Sequence, residues 1–320
     1  MLSRVADAIY WMNRYIERAD NYARFLDVNF NLSLDLPPDI SEQWQPLVAT
    51  TGDWELYKSL HSKPVKNKVI YFLGFDENNP NSILNTITSA RENARSVRPD
   101  ITKEIWQQIN NLYYLVKDEK EKKRWQKNDP RSFFNEIKKG CQLLNGIFDT
   151  TLSRNEGWHF GKIGQLIERA DKTSRVLDVK YHMLLPKLEE VGSPFDLIQW
   201  TALLKSVSAF DMYRKQYGKL TPFHISEFLI LDDAFPRSIL YCLDKAEKSL
   251  NVITGSTTGY SNKAEKQIGI LKSQLEYADI NDIFKTGLHE YLDNFQVKLN
   301  ETSSAIFDTF FSIENALSIS

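Results

Sequence analysis

"YIERADNYARFLDV" at residues 15–28 and "LIERADKTSRVLDV" at residues 166–179 are two versions of one segment. Nine of fourteen positions agree at an offset of 151: Ile16, Glu17, Arg18, Ala19, Asp20, Arg24, Leu26, Asp27 and Val28 against Ile167, Glu168, Arg169, Ala170, Asp171, Arg175, Leu177, Asp178 and Val179. On a helical wheel at about 100° per residue, Glu17, Asp20, Arg24 and Asp27 form one strip with Arg18 at its edge, and Ala19 and Leu26 lie opposite. An exposed i,i+4 pair such as Asp20–Arg24 contributes only about 0.2–0.5 kcal/mol, and a solvated face accepts almost any polar residue. Asn21, Tyr22 and Ala23 have become Lys172, Thr173 and Ser174 in the second copy while the charges stayed in register. The pattern therefore favours a specific role for Glu17, Arg18, Asp20, Arg24, Glu168, Arg169, Asp171 and Arg175. If the two helices cross, Glu17 meets Arg169 or Arg175 and Glu168 meets Arg18 or Arg24. An anion or partner held by the arginines is the other reading, and a merely solvated face the plainest one.

A second block repeats as well. "FLGFDENNPNSILNTITSARENA" at 72–94 aligns with "FLILDDAFPRSILYCLDKAEKSL" at 228–250 at an offset of 156, matching Asp76, Pro80 and Ser82 with Asp232, Pro236 and Ser238. In each copy an acidic turn is followed by a proline, placed where a helix can start without its amide, and Trp54 and Trp200 lie between the matched blocks. Two blocks in one order imply an all-α, internally duplicated helical bundle with a pseudo-two-fold relation between halves 1–155 and 156–320, sharing one core. Helical periodicity is expected over roughly 3–33, 41–61, 66–76, 81–97, 100–117, 130–153, 158–185, 195–216, 221–230, 237–254, 262–277 and 281–315. The prolines of "LPP" at 36–38 should end the first helix. "KVIYFLGF" at 68–75 is the one segment with a strand alternative. "KDEKEKKRWQKNDP" at 117–130 reads as a solvated connector or short helix, and "NVITGSTTGYSN" at 251–262 as a loop.

Forty basic residues against 42 acidic ones give a net charge of −2, which leaves no electrostatic footprint for nucleic acid or an anionic membrane. The apolar runs are too short to span a bilayer, and "MLSRVADAIYW" lacks a signal peptide's apolar stretch, so a cytoplasmic location is the expectation. Cys141 and Cys242 have no metal or redox spacing and read as buried thiols in a reducing compartment. The five histidines, His61, His159, His182, His224 and His289, are scattered. His182, one turn past Asp178, is only weakly metal-like. The repeat is Glu-x-x-Asp rather than the Glu-x-x-His of a di-iron bundle, so no metal or other cofactor is expected. "GWHFGKIG" at 157–164 could offer amides to an anion at a helix start, but tight helix packing accounts for its glycines equally well. Arg91, Arg95 and Arg98 in "ARENARSVR" at 90–98 form a basic stripe suited to a partner's acidic face or to internal pairing. The second half keeps only part of that charge.

Taken together, "MLSRVADAIYWMNRYIERADNYARFLDV", "SARENARSVR" at 89–98 and "YRKQYG" at 213–218 followed by "EFLILDDAFPRSILYCL" at 227–243 resemble the alpha-E family over nearly the whole chain, with Glu17-Arg18 as its Glu-Arg pair. These are bacterial helical proteins whose genes neighbour, or are fused to, circularly permuted ATP-grasp proteins and transglutaminase-like proteins. The resemblance implies an accessory role beside an ATP-dependent amide or peptide ligase, with those proteins as partners. The alternative is a catalytic or substrate-binding component of the same system, with a Glu-Arg cleft as its site. The family brings no catalytic assignment to carry over, and the residues show no nucleophile, metal or phosphate-loop constellation.

Overall fold

The computed structural model describes residues 1–35, 44–182, 193–257 and 259–312, apart from the side chains of Asp35, Tyr181 and His182. The chain is all-helical, with no strand among the described residues. In order the helices are α1 (Ser3–Asp35), α2 (Trp44–Thr51), α3 (Trp54–Leu60), α4 (Lys66–Gly74), α5 (Ile83–Ser96), α6 (Lys103–Lys122), α7 (Arg124–Lys127) and α8 (Arg131–Thr151). They continue with α9 (Glu156–His182), α10 (Pro194–Ser206), α11 (Phe210–Gln216), α12 (Pro222–Leu231), α13 (Ile239–Thr254), α14 (Lys263–Glu276), α15 (Ile280–Thr286) and α16 (Leu288–Phe310). No described helix is long and apolar enough to cross a membrane.

Three of the expected helices are each two. Residues 41–61 break between α2 and α3 at Gly52, whose φ of +83° is left-handed, a conformation glycine adopts without steric cost. Residues 195–216 break between α10 and α11 at Ser208, left-handed at φ +54° although it carries a Cβ. The long aromatic-rich C-terminal segment breaks at Gly287, φ +105°, which separates α15 from α16. Periodicity misses these breaks because the apolar pattern runs through them. The stretch 68–75 is helical through Gly74, with Phe75 as the C-cap of α4, and the "LPP" prolines after Asp35 lie outside the described residues.

The matched prolines play a different part from the one expected. Pro80 and Pro236 sit in turns two residues before the helix caps. The caps are Ser82, whose hydroxyl accepts from the Asn85 amide, and Ser238, which accepts from the Tyr241 amide, so each satisfies one free amide of the first turn. The tryptophan placed like Trp200 is Trp44 rather than Trp54: Trp44 on α2 and Trp200 on α10 are both buried, whereas Trp54 opens α3 half-exposed.

Two clusters of buried apolar residues hold the molecule together. The first gathers buried residues from Ala8 to Phe148, with Tyr22, Phe72 and Phe134 at its centre. The second gathers Phe160 to Phe311 and also takes in Ala6 and Tyr10 of α1. Val176 packs against both. Between the clusters α1 lies along α9; α1 also packs on α5, α8 and α10, while α9 packs on α13, α16 and α2. α9 comes close to α1 at Gly164, where a Cβ would stand 2.4 Å from the Tyr10 carbonyl oxygen, and at Gly161, where it would stand 2.6 Å from Asn13 Nδ2 of α1 and 2.5 Å from the Phe148 ring of α8. The "GWHFGKIG" glycines thus lie at and within the start of α9 and serve close helix packing.

Candidate functional site

The crossing of α1 and α9 brings the two charged strips face to face. Glu17 and Glu168 are each 0% exposed. The Glu168 carboxylate accepts from Arg18 Nε at 2.6 Å and Arg14 Nε at 3.0 Å, with Lys172 Nζ at 3.6 Å. Glu17 accepts from Arg169 Nε at 2.9 Å and Nη2 at 2.8 Å, and from Arg237 Nη1 at 3.1 Å. Each glutamate is therefore bound by the arginine that follows the other glutamate. Of the partners the wheel allowed, the structure brings together Glu17 with Arg169 and Glu168 with Arg18. Arg24 and Arg175 instead bond within their own helices, to Asp20 at 2.8 Å and Asp171 at 2.9 Å. All eight of the candidate residues belong to this seam.

The outer ends of the seam reach the two helix breaks. Arg24 Nη1 donates to the Ser208 hydroxyl at 2.5 Å, while Arg175 lies over Gly52, whose added Cβ would stand 3.3 Å from Arg175 Nη1. Arg18 Nη1 donates to Asn81 Oδ1 at 2.7 Å, and Arg169 Nη1 to the Pro236 carbonyl at 3.2 Å. Asn81 in turn donates to Asp53, which also accepts from the buried Tyr22 hydroxyl at 3.0 Å.

Arg237, Arg14 and Lys172 complete the seam, and the sequence reading left them out. Arg237 binds Glu17, Asp20 at 2.7 Å and Asn21 at 3.0 Å. A signal for it was present: Arg237 and Asn81 stand between the matched proline and serine of the second repeat. Both enter the seam, through different atoms, so letter identity was too narrow a filter.

Around Glu168 and Asp171 stand Arg14, Arg18, Lys172 and Arg175, and around Glu17 and Asp20 stand Arg24, Arg169 and Arg237. In both groups cations outnumber carboxylates. Burial raises the Glu17 carboxyl pKa, but Arg169 and Arg237 outweigh it and bring the group down from 4.5 to about 2. Burial opposes the ionisation of Glu168 in the same way, and Arg18, Lys172 and Arg14 hold it well below the usual carboxylate range. Burial together with the nearby Arg169 and Arg24 lowers Arg237 despite Glu17. A carboxylate with a depressed folded-state pKa adds stability above its unfolded pKa and loses it as pH falls through the folded one. The Glu17 contribution, on the order of 3 kcal/mol from the shift, should thus be complete above pH 4.5 and fade toward about 2. Urea denaturation across that window should show wild type losing its advantage over Glu17→Gln as pH falls; a constant gap would contradict this.

The basic stripe is partly consumed internally. Arg91 Nε donates to Asn110 Oδ1 on α6 at 2.7 Å and its guanidinium lies 4.6 Å from the Tyr113 ring centre, while Arg98 lies 5.8 Å from that of Trp106. Arg95 alone of the three projects outward, with its side chain 69% exposed and paired to Glu92 at 2.5 Å. Burial raises the pKa of the Cys141 thiol well above its ordinary value and that of Cys242 to about 12, which suppresses thiolate chemistry. The histidines stay apart: His61 faces Asp76, His289 contacts Asp178, His224 stacks on Tyr217, His159 lies edge-on to Trp158, and the His182 side chain is outside the described residues.

Curated relatives from Mycobacterium bovis and Mycobacterium tuberculosis, all described as uncharacterized, are 23% identical over 98% of this chain. The chain spans 37% of the length of each of these relatives. No solved structure matches it. The family profile that matches residues 1–311 is described as a predicted alpha-helical domain with a conserved ER motif. Glu17-Arg18 and Glu168-Arg169 are Glu-Arg pairs within that span, interlocked at the centre of an all-helical chain, and the chain belongs to the Alpha-E family.

Proposed function

We propose that the chain is a doubled helical unit, 1–155 and 156–320, with a pseudo-two-fold relation, and that it serves as a cytoplasmic accessory partner of an ATP-grasp amide ligase system. Paired features at the offset of 156 support the doubling. Tyr57 donates to the Lys63 carbonyl and Tyr213 to the Lys219 carbonyl, at 2.8 and 2.6 Å. Gly52 and Ser208 are both left-handed, and Ser82 and Ser238 both cap helices.

The observation that carries the accessory reading is the enclosure of Glu17 and Glu168. A carboxylate shut off from solvent and held ionised by arginines has neither a proton to donate nor useful basicity. It also has no access to a substrate. The Glu-Arg pairs thereby favour a structural role over the cleft-site alternative and leave recognition to the surface. The resemblance supplies the partner class, circularly permuted ATP-grasp proteins and, with them, transglutaminase-like proteins. The greater length of the relatives accords with a module that works beside others.

Co-purification with the ATP-grasp protein of the same genome tests the proposal. Arg95→Glu is the cleaner probe, because reversing Arg91 or Arg98 would also disturb the contacts with α6. Association weakened several-fold by Arg95→Glu and unchanged fold are the expected results; no association with wild type would remove the reading.

A further inference from the structure

Arg24 and Arg175 are counterparts at the offset of 151, yet the ends of their side chains differ. Each donates Nε to the aspartate one turn earlier. Arg24 Nη1 then meets the Ser208 hydroxyl. In the place of Ser208, 156 residues earlier, stands Gly52, which has no side-chain oxygen. Arg175 lies over that glycine, with Nη1 3.3 Å and Cζ 3.8 Å from where a Cβ would be. Neither Nη1 nor Nη2 of Arg175 has an acceptor among the described residues. Every other seam arginine has at least one terminal nitrogen bonded. The Arg175 side chain is also the most open of them, 25% exposed against 8% for Arg24, and its terminal nitrogens are not shut off from solvent. Around it four cations face the carboxylates of Glu168 and Asp171. Asp53, beside Gly52, adds a third carboxylate, already bonded to Tyr22 and Asn81. A positive excess remains at a largely buried place, where uncompensated charge is costly.

We propose that the open end of Arg175, above Gly52, binds a small oxyanion, a carboxylate or a phosphate, whose oxygens accept from Nη1 and Nη2. One oxygen takes the part that the Ser208 hydroxyl plays toward Arg24 in the other half, and the negative charge offsets the excess of cations. The guanidinium fork matches the paired oxygens of either group. A neutral amide presents a single oxygen and no charge, and so binds more weakly. The inference stands apart from the accessory reading, because it needs no protein partner.

Acetate and inorganic phosphate are the probes, each exchanged for chloride at fixed ionic strength so that screening stays constant. They are titrated into the full chain while the backbone amide signal of Gly52 is followed by NMR. The chain has 13 glycines, so glycine-selective labelling leaves few signals, and that of Gly52 is assigned by its loss in Gly52→Ser. The expected result is a saturable shift with a Kd of about millimolar order for at least one of the two anions, and the tighter one identifies the ligand class. Binding should weaken at least roughly tenfold in Arg175→Gln. It should weaken also in Arg175→Lys, which keeps the charge and loses the fork, and stay unchanged in Arg95→Gln on the remote α5 surface. A Gly52 signal that neither anion moves, a shift that does not saturate or that acetamide matches, or an unchanged Kd in Arg175→Gln would overturn the proposal. The wild-type titration alone can do so if the Arg175 variants fail to fold.

Discussion

Glu168→Gln is expected to lower the unfolding free energy by about 3–5 kcal/mol, read as a fall in the urea midpoint with an unchanged slope. Glutamine keeps the shape and one acceptor oxygen, so the loss is one of charge. Glu168 is 0% exposed and faces Arg18 at 2.6 Å, Arg14 at 3.0 Å and Lys172 at 3.6 Å. Without it Asp171 remains the one carboxylate for the surrounding cations, and it is already bonded to Lys172 and Arg175. Removing one partner of a buried pair costs more than the pair contributes, because desolvated charge is left uncompensated. Glu17→Gln should cost less, since Asp20 still holds both Arg237 and Arg24. Equal effects of the two substitutions, or an effect below about 1 kcal/mol as in exposed pairs, would show that the seam is not the dry contact described here.

Gly164→Ala is expected to destabilise the protein by about 1–3 kcal/mol, against the ordinary preference of a helix interior for alanine by about 1 kcal/mol. The sign reverses because the new Cβ would lie 2.4 Å from the Tyr10 carbonyl oxygen, a backbone atom that cannot rotate away. To relieve the contact α9 must move off α1, and Glu168, one turn further on, must move from Arg18. Gly146→Ala on α8 is the matched control, because a Cβ there meets nothing within 4 Å, and it should leave stability unchanged or raise it. Thermal denaturation of both variants checks the pair; a neutral Gly164→Ala would mean that the helices are not in backbone contact there.

Much of this architecture was legible in the residues because its two determinants are periodic. The apolar stripe of α1, with Ile16, Ala19 and Leu26, gave the helix, and the recurrence of Glu17-Arg18 at Glu168-Arg169 gave its partner. Single residues that break a pattern without changing polarity were not legible. Ser208 looks like any helical serine until its left-handed φ is seen, and a periodicity search runs straight through Gly287. The choice between Arg169 and Arg175 as the partner of Glu17 depends on the axial offset of two helices, which backbone contact at Gly164 sets and helical angles do not. Arg237 was hidden for a further reason: it arrives from a turn remote in sequence, in a position where the other half carries Asn81. Arg91 and Arg98 read as a surface stripe because Trp106 and Tyr113, which they overlie, belong to the next helix.

Whether reciprocal buried ion pairs lock α1 to α9 is tested most directly by a double-mutant cycle on Arg18 and Glu168. The urea stabilities of wild type, Arg18→Met, Glu168→Gln and the double variant suffice. Locked helices should give strong non-additivity, with a coupling energy of about 1.5–3 kcal/mol and the double variant far less damaged than the single losses summed. Effects that add within about 0.5 kcal/mol would contradict it.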